Sequence, residues 1–167
     1  LIVATHGRSF WIIDDLTPLH QLNTSMNERD AVLFQPEDSY RMAQSGRRRG
    51  TNALLQGTNH PNGTVINYYL KDYRPSDTLK IEITSQQGDL IQVFTNNKER
   101  LAKINATDGT NKNNSYAYAL SAANLKSIQP QSGGNSLIWD LRYPGFVSFD
   151  GMVLYSSPNT GPKATPG

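Results

Sequence analysis

Residues 78–94, TLKIEITSQQGDLIQVF, constrain the fold more than any other stretch of this chain. Leu79, Ile81 and Ile83 alternate with Lys80, Glu82 and Thr84, and a period of two places the apolar set on one face of a strand and the polar set on the other. A helix would scatter the same residues around its axis. QQGD, residues 86–89, then supplies a turn around Gly88, and LIQVF, residues 90–94, returns as a second strand. A polypeptide with this hairpin at its centre must build at least one antiparallel sheet.

Other segments read in the same way. TVINYYL, residues 64–70, is rich in β-branched and aromatic side chains and follows the turn dipeptide Asn62-Gly63, with Ile66, Tyr68 and Leu70 as its core face. AVLFQP, residues 31–36, gives a short strand ended by Pro36, which cannot donate to a ladder. GGNSLIWDLRYPG gives a strand over 135–142, with Leu137, Trp139 and Leu141 on one side and a stop at Pro144-Gly145. Trp139 reads as a core anchor, and Asp140 can pair with Arg142 on the opposite face. MVLY, residues 152–155, is a further short strand, and SSPNTGPKATPG after it is a loop. Between these lie two long polar segments: 37–63, and an Asn-rich insertion over 95–134 in which YAYALSAANLK, residues 116–126, alone has helical character.

The first fifteen residues, LIVATHGRSFWIIDD, are two extended apolar runs joined by HGRS, with Gly7 able to take the positive φ of a tight bend. A lone hairpin is barely stable in water, so Leu1, Ile2, Val3, Phe10, Trp11, Ile12 and Ile13 call for more sheet than the chain supplies. A polar connector, 17–30, with at most one helical turn, leads onward. The expectation is of a polypeptide interrupted at both ends.

Chemistry is scarce. There is no cysteine, which excludes disulfides, thiolate metal sites and cysteine nucleophiles. Sixteen basic against fourteen acidic residues leave a charge of +2, too little for a nucleic-acid footprint, and Arg47-Arg48-Arg49 between glycines reads as a solvated loop. No run approaches the ~18 apolar residues of a membrane span. Asp14 and Asp15 are strand neighbours pointing to opposite faces, so they form no carboxylate dyad; one of them can instead hold backbone amides where the strand leaves its sheet. His6, His20 and His60 have no partner at metal spacing, and Ser9 and Ser132 lack a nucleophile elbow. Asn105, Thr107, Asp108, Asn111 and Asn113 around Gly109 make an oxygen-rich loop of the kind calcium favours, but with one carboxylate it is too weakly charged for a tight site. No other cofactor is expected. Tyr69 and Tyr73 are the aromatic residues placed for ligand contact, since a flat ring covers the C–H face of a sugar while its hydroxyl stays wet.

THGRSFWIIDDLTPL, residues 5–19, resembles the last propeller strands of secreted bacterial proteins with BNR-type or sortilin-like repeats, often labelled glycosyl hydrolases. NHPNGTVINYYL, LKIEITSQQGDLIQVF and GGNSLIWDLRYPG resemble the accessory sandwich that follows such propellers, and are similar to immunoglobulin-like domains of the flagellar hook-assembly type. The resemblance implies an all-β chain: residues 1–16 as the last strand pair of a β-propeller, 17–30 as linker, and 31–167 as an Ig-like antiparallel β-sandwich with an insertion near 95–134 and its last strand missing. It implies a secreted, periplasmic or cell-surface location and an upstream propeller domain of the same protein as partner. No S-x-D-x-G-x-T-W box is present, so no catalytic residue carries over. Three functions follow as expectations: a non-catalytic accessory module; part of a glycoside hydrolase whose acid and base lie upstream; or a carbohydrate- or protein-binding module.

Overall fold

The computed structural model describes residues 1–4, 6–7, 10–13, 15–41, 61–97, 99, 125–146, 153 and 160–165. The oxygen-rich loop 105–113, the arginine run 47–49, Asp14, Ser9, His60, most of 116–126 and all of 152–155 but Val153 lie outside these residues. Among the described residues the chain is all-β, with three sheets and very little helix. It divides into two compact units, Leu1–Asp72 with Ser132–Trp139, and Tyr73–Gln131 with Asp140–Gly167.

In the first unit, β1 (Ile2–Ala4) and β2 (Phe10–Ile12) form a two-stranded antiparallel ribbon, turned at Gly7 with φ +75°. The connector holds a four-residue helix, α1 (Thr17–His20), with Pro18 in its first turn, and a 3-10 turn, Thr24–Glu28. That is one short turn more than the sequence leads one to expect. β3 (Ala31–Leu33), β4 (Thr64–Leu70) and β8 (Gly133–Trp139) make a sheet in the order β3-β4-β8, antiparallel throughout. β4 has the span its residues dictate, and Ile66, Tyr68 and Leu70 are buried.

The opposite face is buried in part as well. Val32 pairs with Tyr69 and therefore lies on Tyr69's side of the sheet, yet Val32 and Phe34 are both buried. The connector is hydrogen-bonded on this side. Asp15 accepts a hydrogen bond from the Asn67 side-chain amide at 3.0 Å, on that same face, and a second from the Thr17 backbone N–H at 2.8 Å. Gln21 exchanges two bonds with the backbone of Gln35, both 2.8 Å, as a neighbouring strand would, and the Thr17 hydroxyl donates to Glu37. The polar connector is thus fastened to the sheet by its side chains.

In the second unit, β5 (Lys80–Thr84) and β6 (Leu90–Thr95) form the expected hairpin, with Gly88 at φ +88° and its N–H bonded to the Ser85 carbonyl at 3.0 Å. Lys80 and Glu82 lie outward and pair at 2.9 Å. A bulge between Ile83 and Thr84 breaks the register, and all six residues of β6 are buried, Gln92 and Thr95 included. β6 is central because β7 (Lys126–Ser127) pairs with its other edge in parallel. The helical reading of 116–126 is therefore corrected at its end: Lys126 is strand, and Leu125 before it is in no helix and only 1% exposed. Pairing with β6 satisfies the backbone there, and burial of the Leu125 side chain outweighs a helix propensity worth a few tenths of a kcal/mol per residue.

Two further corrections concern the last third of the chain. β8 ends at Trp139 rather than at Arg142, because Leu141 takes a left-handed conformation, φ +58°, which no strand continues through. Alternation consequently fails to place Asp140, Leu141 and Arg142 on faces, and Trp139 is half-buried. The stretch after it, read as a plain loop, turns back at 160–165 to bridge Lys163 with Arg142, with Tyr143 N–H to Pro162 O at 2.9 Å and Ala164 N–H to Leu141 O at 2.7 Å.

Candidate functional site

The feature that stands apart from the sheets is the ribbon β1-β2. Leu1 and Ile13 exchange two hydrogen bonds, each 2.9 Å, so Ile2 and Ile12 form the next, non-bonded pair and Val3 and Trp11 the bonded pair beyond it. Cross-strand partners point the same way. One face therefore carries Leu1, Val3, Trp11 and Ile13; the other carries Ile2, Ala4, Phe10 and Ile12. All seven large side chains are 43–75% exposed, so both faces of the ribbon are open and apolar. The outward backbone groups are those of Ile2 and Ala4 on one edge and Phe10 and Ile12 on the other.

Asp15 sets where the ribbon meets the sheet. Its carboxylate spends its two oxygens on Thr17 and on Asn67, so it fills the amide-holding role expected of one member of the pair, and it anchors the strand as it leaves β2. His6 is exposed at the ribbon's turn and His20 is exposed at the end of α1. Among the described residues no three His, Cys, Asp or Glu side chains gather as a metal set would. No helix among the described residues is long and apolar enough to cross a membrane.

The two tyrosines singled out for ligand contact lie in different units. Tyr69 is half-buried on β4, and its partner in register across β8 is Gly134, where a Cβ would meet only open space. Tyr73 is also half-buried, but its hydroxyl accepts a hydrogen bond from the Asn96 side-chain amide at 2.8 Å. Asn96 is a residue that sequence reasoning passed over. Its amide nitrogen also donates to the Asp77 carbonyl at 2.6 Å, and its oxygen accepts the Leu79 N–H at 2.8 Å, so one side chain closes the whole 73–79 loop onto the end of β6. Nothing in the polar string TNNKER separates Asn96 from Asn97; only the fold places it opposite Leu79. Replacing Asn96 by Ala removes all three bonds and is expected to cost about 1–3 kcal/mol, with faster exchange of the Leu79 amide as the direct readout.

Comparisons with protein-family models, with curated proteins and with solved structures find no match for this chain. What is established is thus the class of the fold, an all-β chain with an exposed two-faced ribbon.

Proposed function

We propose that this chain is a non-catalytic accessory module, an Ig-like β-sandwich by type, of a secreted or cell-surface protein with a β-propeller, and that the ribbon is the part it shares with that propeller. The observation that carries this reading is the ribbon itself: two strands apolar on both faces, with neither edge paired to a further strand among the described residues. Strands of that composition belong inside a sheet covered on both sides. The Asp15 anchor supports the same reading, because it couples the ribbon's exit to the β3-β4-β8 sheet through Asn67.

The test is hydrogen exchange on the intact gene product, with whatever precedes residue 1 retained. The amides of Ile2, Ala4, Phe10 and Ile12 are expected to be protected there and unprotected in the 167-residue chain. A native polypeptide that starts at Leu1, or edge amides that exchange equally fast in both, overturns the proposal. Any glycosidase activity belongs upstream on this reading, so the 167-residue chain leaves aryl glycosides uncleaved, and cleavage by it would count against a non-catalytic role.

A second reading, a carbohydrate-binding module, is favoured by Tyr69, which is half-buried and has open space beside it at its cross-strand neighbour Gly134. Calorimetric titration with oligosaccharides separates the two: heat that disappears in Tyr69→Ala supports binding, and a flat titration removes it.

A further inference from the structure

We propose that Gln21 guards the outer edge of β3: its side-chain amide stands where a neighbouring strand would, and it keeps that edge from joining, antiparallel, to β3 of a second copy of this chain. The ribbon takes no part in this contact.

β3 turns the backbone of alternate residues to its two sides. Val32 pairs with Tyr69, the Phe34 N–H donates to the Asn67 carbonyl, and the Asp30 carbonyl accepts the Lys71 N–H, so residues 30, 32 and 34 are committed to β4. The N–H and C=O groups of Ala31, Leu33 and Gln35 therefore point away from the sheet. Among the described residues no further strand pairs there, and of the three only Gln35 is answered. The Gln21 amide nitrogen donates to the Gln35 carbonyl and the Gln21 oxygen accepts the Gln35 N–H, each at 2.8 Å, which is the reciprocal pair that a residue on an adjoining strand makes. Gln21 is held in place for this. It caps the C-terminal end of α1, with its own N–H bonded back to Pro18, and Thr17 ties the other end of α1 to Asp15 and Glu37.

The charges at the two ends of this edge point to a second copy as the strand held off. Two β3 strands brought together antiparallel about Leu33 set Leu33 opposite Leu33, Ala31 opposite Gln35, and Arg29 opposite Glu37 at both ends. Arg29 is exposed and extended, with φ -96° and ψ 139°, so it continues the row. Neither Arg29 nor Glu37 is ion-paired among the described residues. Opposite charges directly across a strand pair favour it, and Leu33, 61% exposed, gains its own counterpart as a neighbour. Moving the centre by one residue sets Arg29 against Gln35 or Ser39 and loses both charge pairs.

The guard works by competition. Bare edge groups are a template for strand addition unless something occupies them. Two wild-type copies must give up four hydrogen bonds, two at each Gln35, before these edges meet, so removing Gln21 is expected to raise the association constant roughly a hundredfold.

Cross-linking in the 167-residue chain reads this edge alone. The chain has no cysteine, and the central hydrogen-bonded pair brings two residue-33 Cα atoms to about 5.5 Å, within disulfide reach. The rate at which Leu33→Cys forms a disulfide dimer is compared with that of Tyr40→Cys, which is 82% exposed and outside the paired row. With Gln21 intact the two rates are expected to match. With Gln21→Ala the rate at position 33 is expected to rise at least about tenfold while that at position 40 stays the same. Arg29→Glu in the same background sets acid against acid and is expected to remove most of the rise. Gln21→Met keeps the length of the side chain without its amide; it is expected to behave as Gln21→Ala does, and it decides the matter if the alanine variant loses its far-ultraviolet circular dichroism spectrum. Equal rates at position 33 with and without Gln21 overturn the guard. A rise that Arg29→Glu leaves untouched overturns the pairing with a second copy.

Discussion

Truncation of Leu125 to Ala is expected to lower the free energy of unfolding by about 2–5 kcal/mol, among the largest losses a single substitution can cause here. Leu125 is 1% exposed and ranks among the largest fully buried side chains of the described residues. It sits immediately before β7, whose two residues pair with Phe94 and Thr95 of the central strand, and the Ile128 N–H adds a bond to the Thr95 carbonyl at 3.0 Å. Truncation there opens a cavity inside packed protein rather than at the surface. Denaturant unfolding measures the loss, with Leu33→Ala as the reference: Leu33 is 61% exposed, and its truncation should stay within about 0.5 kcal/mol. If the two substitutions cost the same, β7 does not pair with β6 in solution.

Gly161→Ala is the second large effect, and it acts by crowding. Gly161 is buried where 160–165 runs back along 141–143, and a Cβ there would overlap the carbonyl oxygens of Tyr143 and Pro144. Those are backbone atoms, so relief requires the two segments to part. Parting them breaks the bonds from Tyr143 to Pro162 and from Ala164 to Leu141, together with the one the Arg142 guanidinium donates to the Gly161 carbonyl at 2.9 Å. A cost of about 1–3 kcal/mol is expected, read as faster exchange of the Tyr143 and Ala164 amides and a lower unfolding midpoint. Gly134→Ala provides the contrast, since a Cβ at that position meets open space and Gly134 has no positive φ. There the smaller entropy of the unfolded chain should stabilise by about 0.4–1 kcal/mol. Equal effects of the two substitutions would show that the return segment is not seated against 141–143.

The contrast between β4 and β6 explains what could be read in advance. TVINYYL and TLKIEIT declare themselves because each faces two environments that differ, and a period of two records that difference residue by residue. LIQVFT is buried along its whole length, and with the bulge beside Thr84 its side chains carry no such record. β7 could not be read at all: Lys126 and Ser127 are strand only because β6 offers them an edge, and no property of two polar residues announces that. The same holds for the return segment 160–165, whose pairing depends on Leu141 turning left-handed some twenty residues earlier.

For the candidate surface, the division is similar. Seven large apolar residues around Gly7 mark a hairpin in need of cover, and alternation even assigns them to faces. The Asp14-Asp15 pair suggested an amide-holding carboxylate, and Asp15 is one. What no linear pattern could state is that the side chains stay 43–75% exposed, or that Asp15 reaches Asn67, fifty-two residues away.

By itself, then, the sequence determined that this is a β chain, where its clearest strands run, and that its first residues are too apolar to stand alone. Tertiary structure decided which strands are central, where β8 stops, how the connector is fastened, and which apolar surface is left open. The physical reason is range. Alternation and turn chemistry act between residues a few positions apart, whereas an edge, a cover or a close approach exists only once distant segments have met.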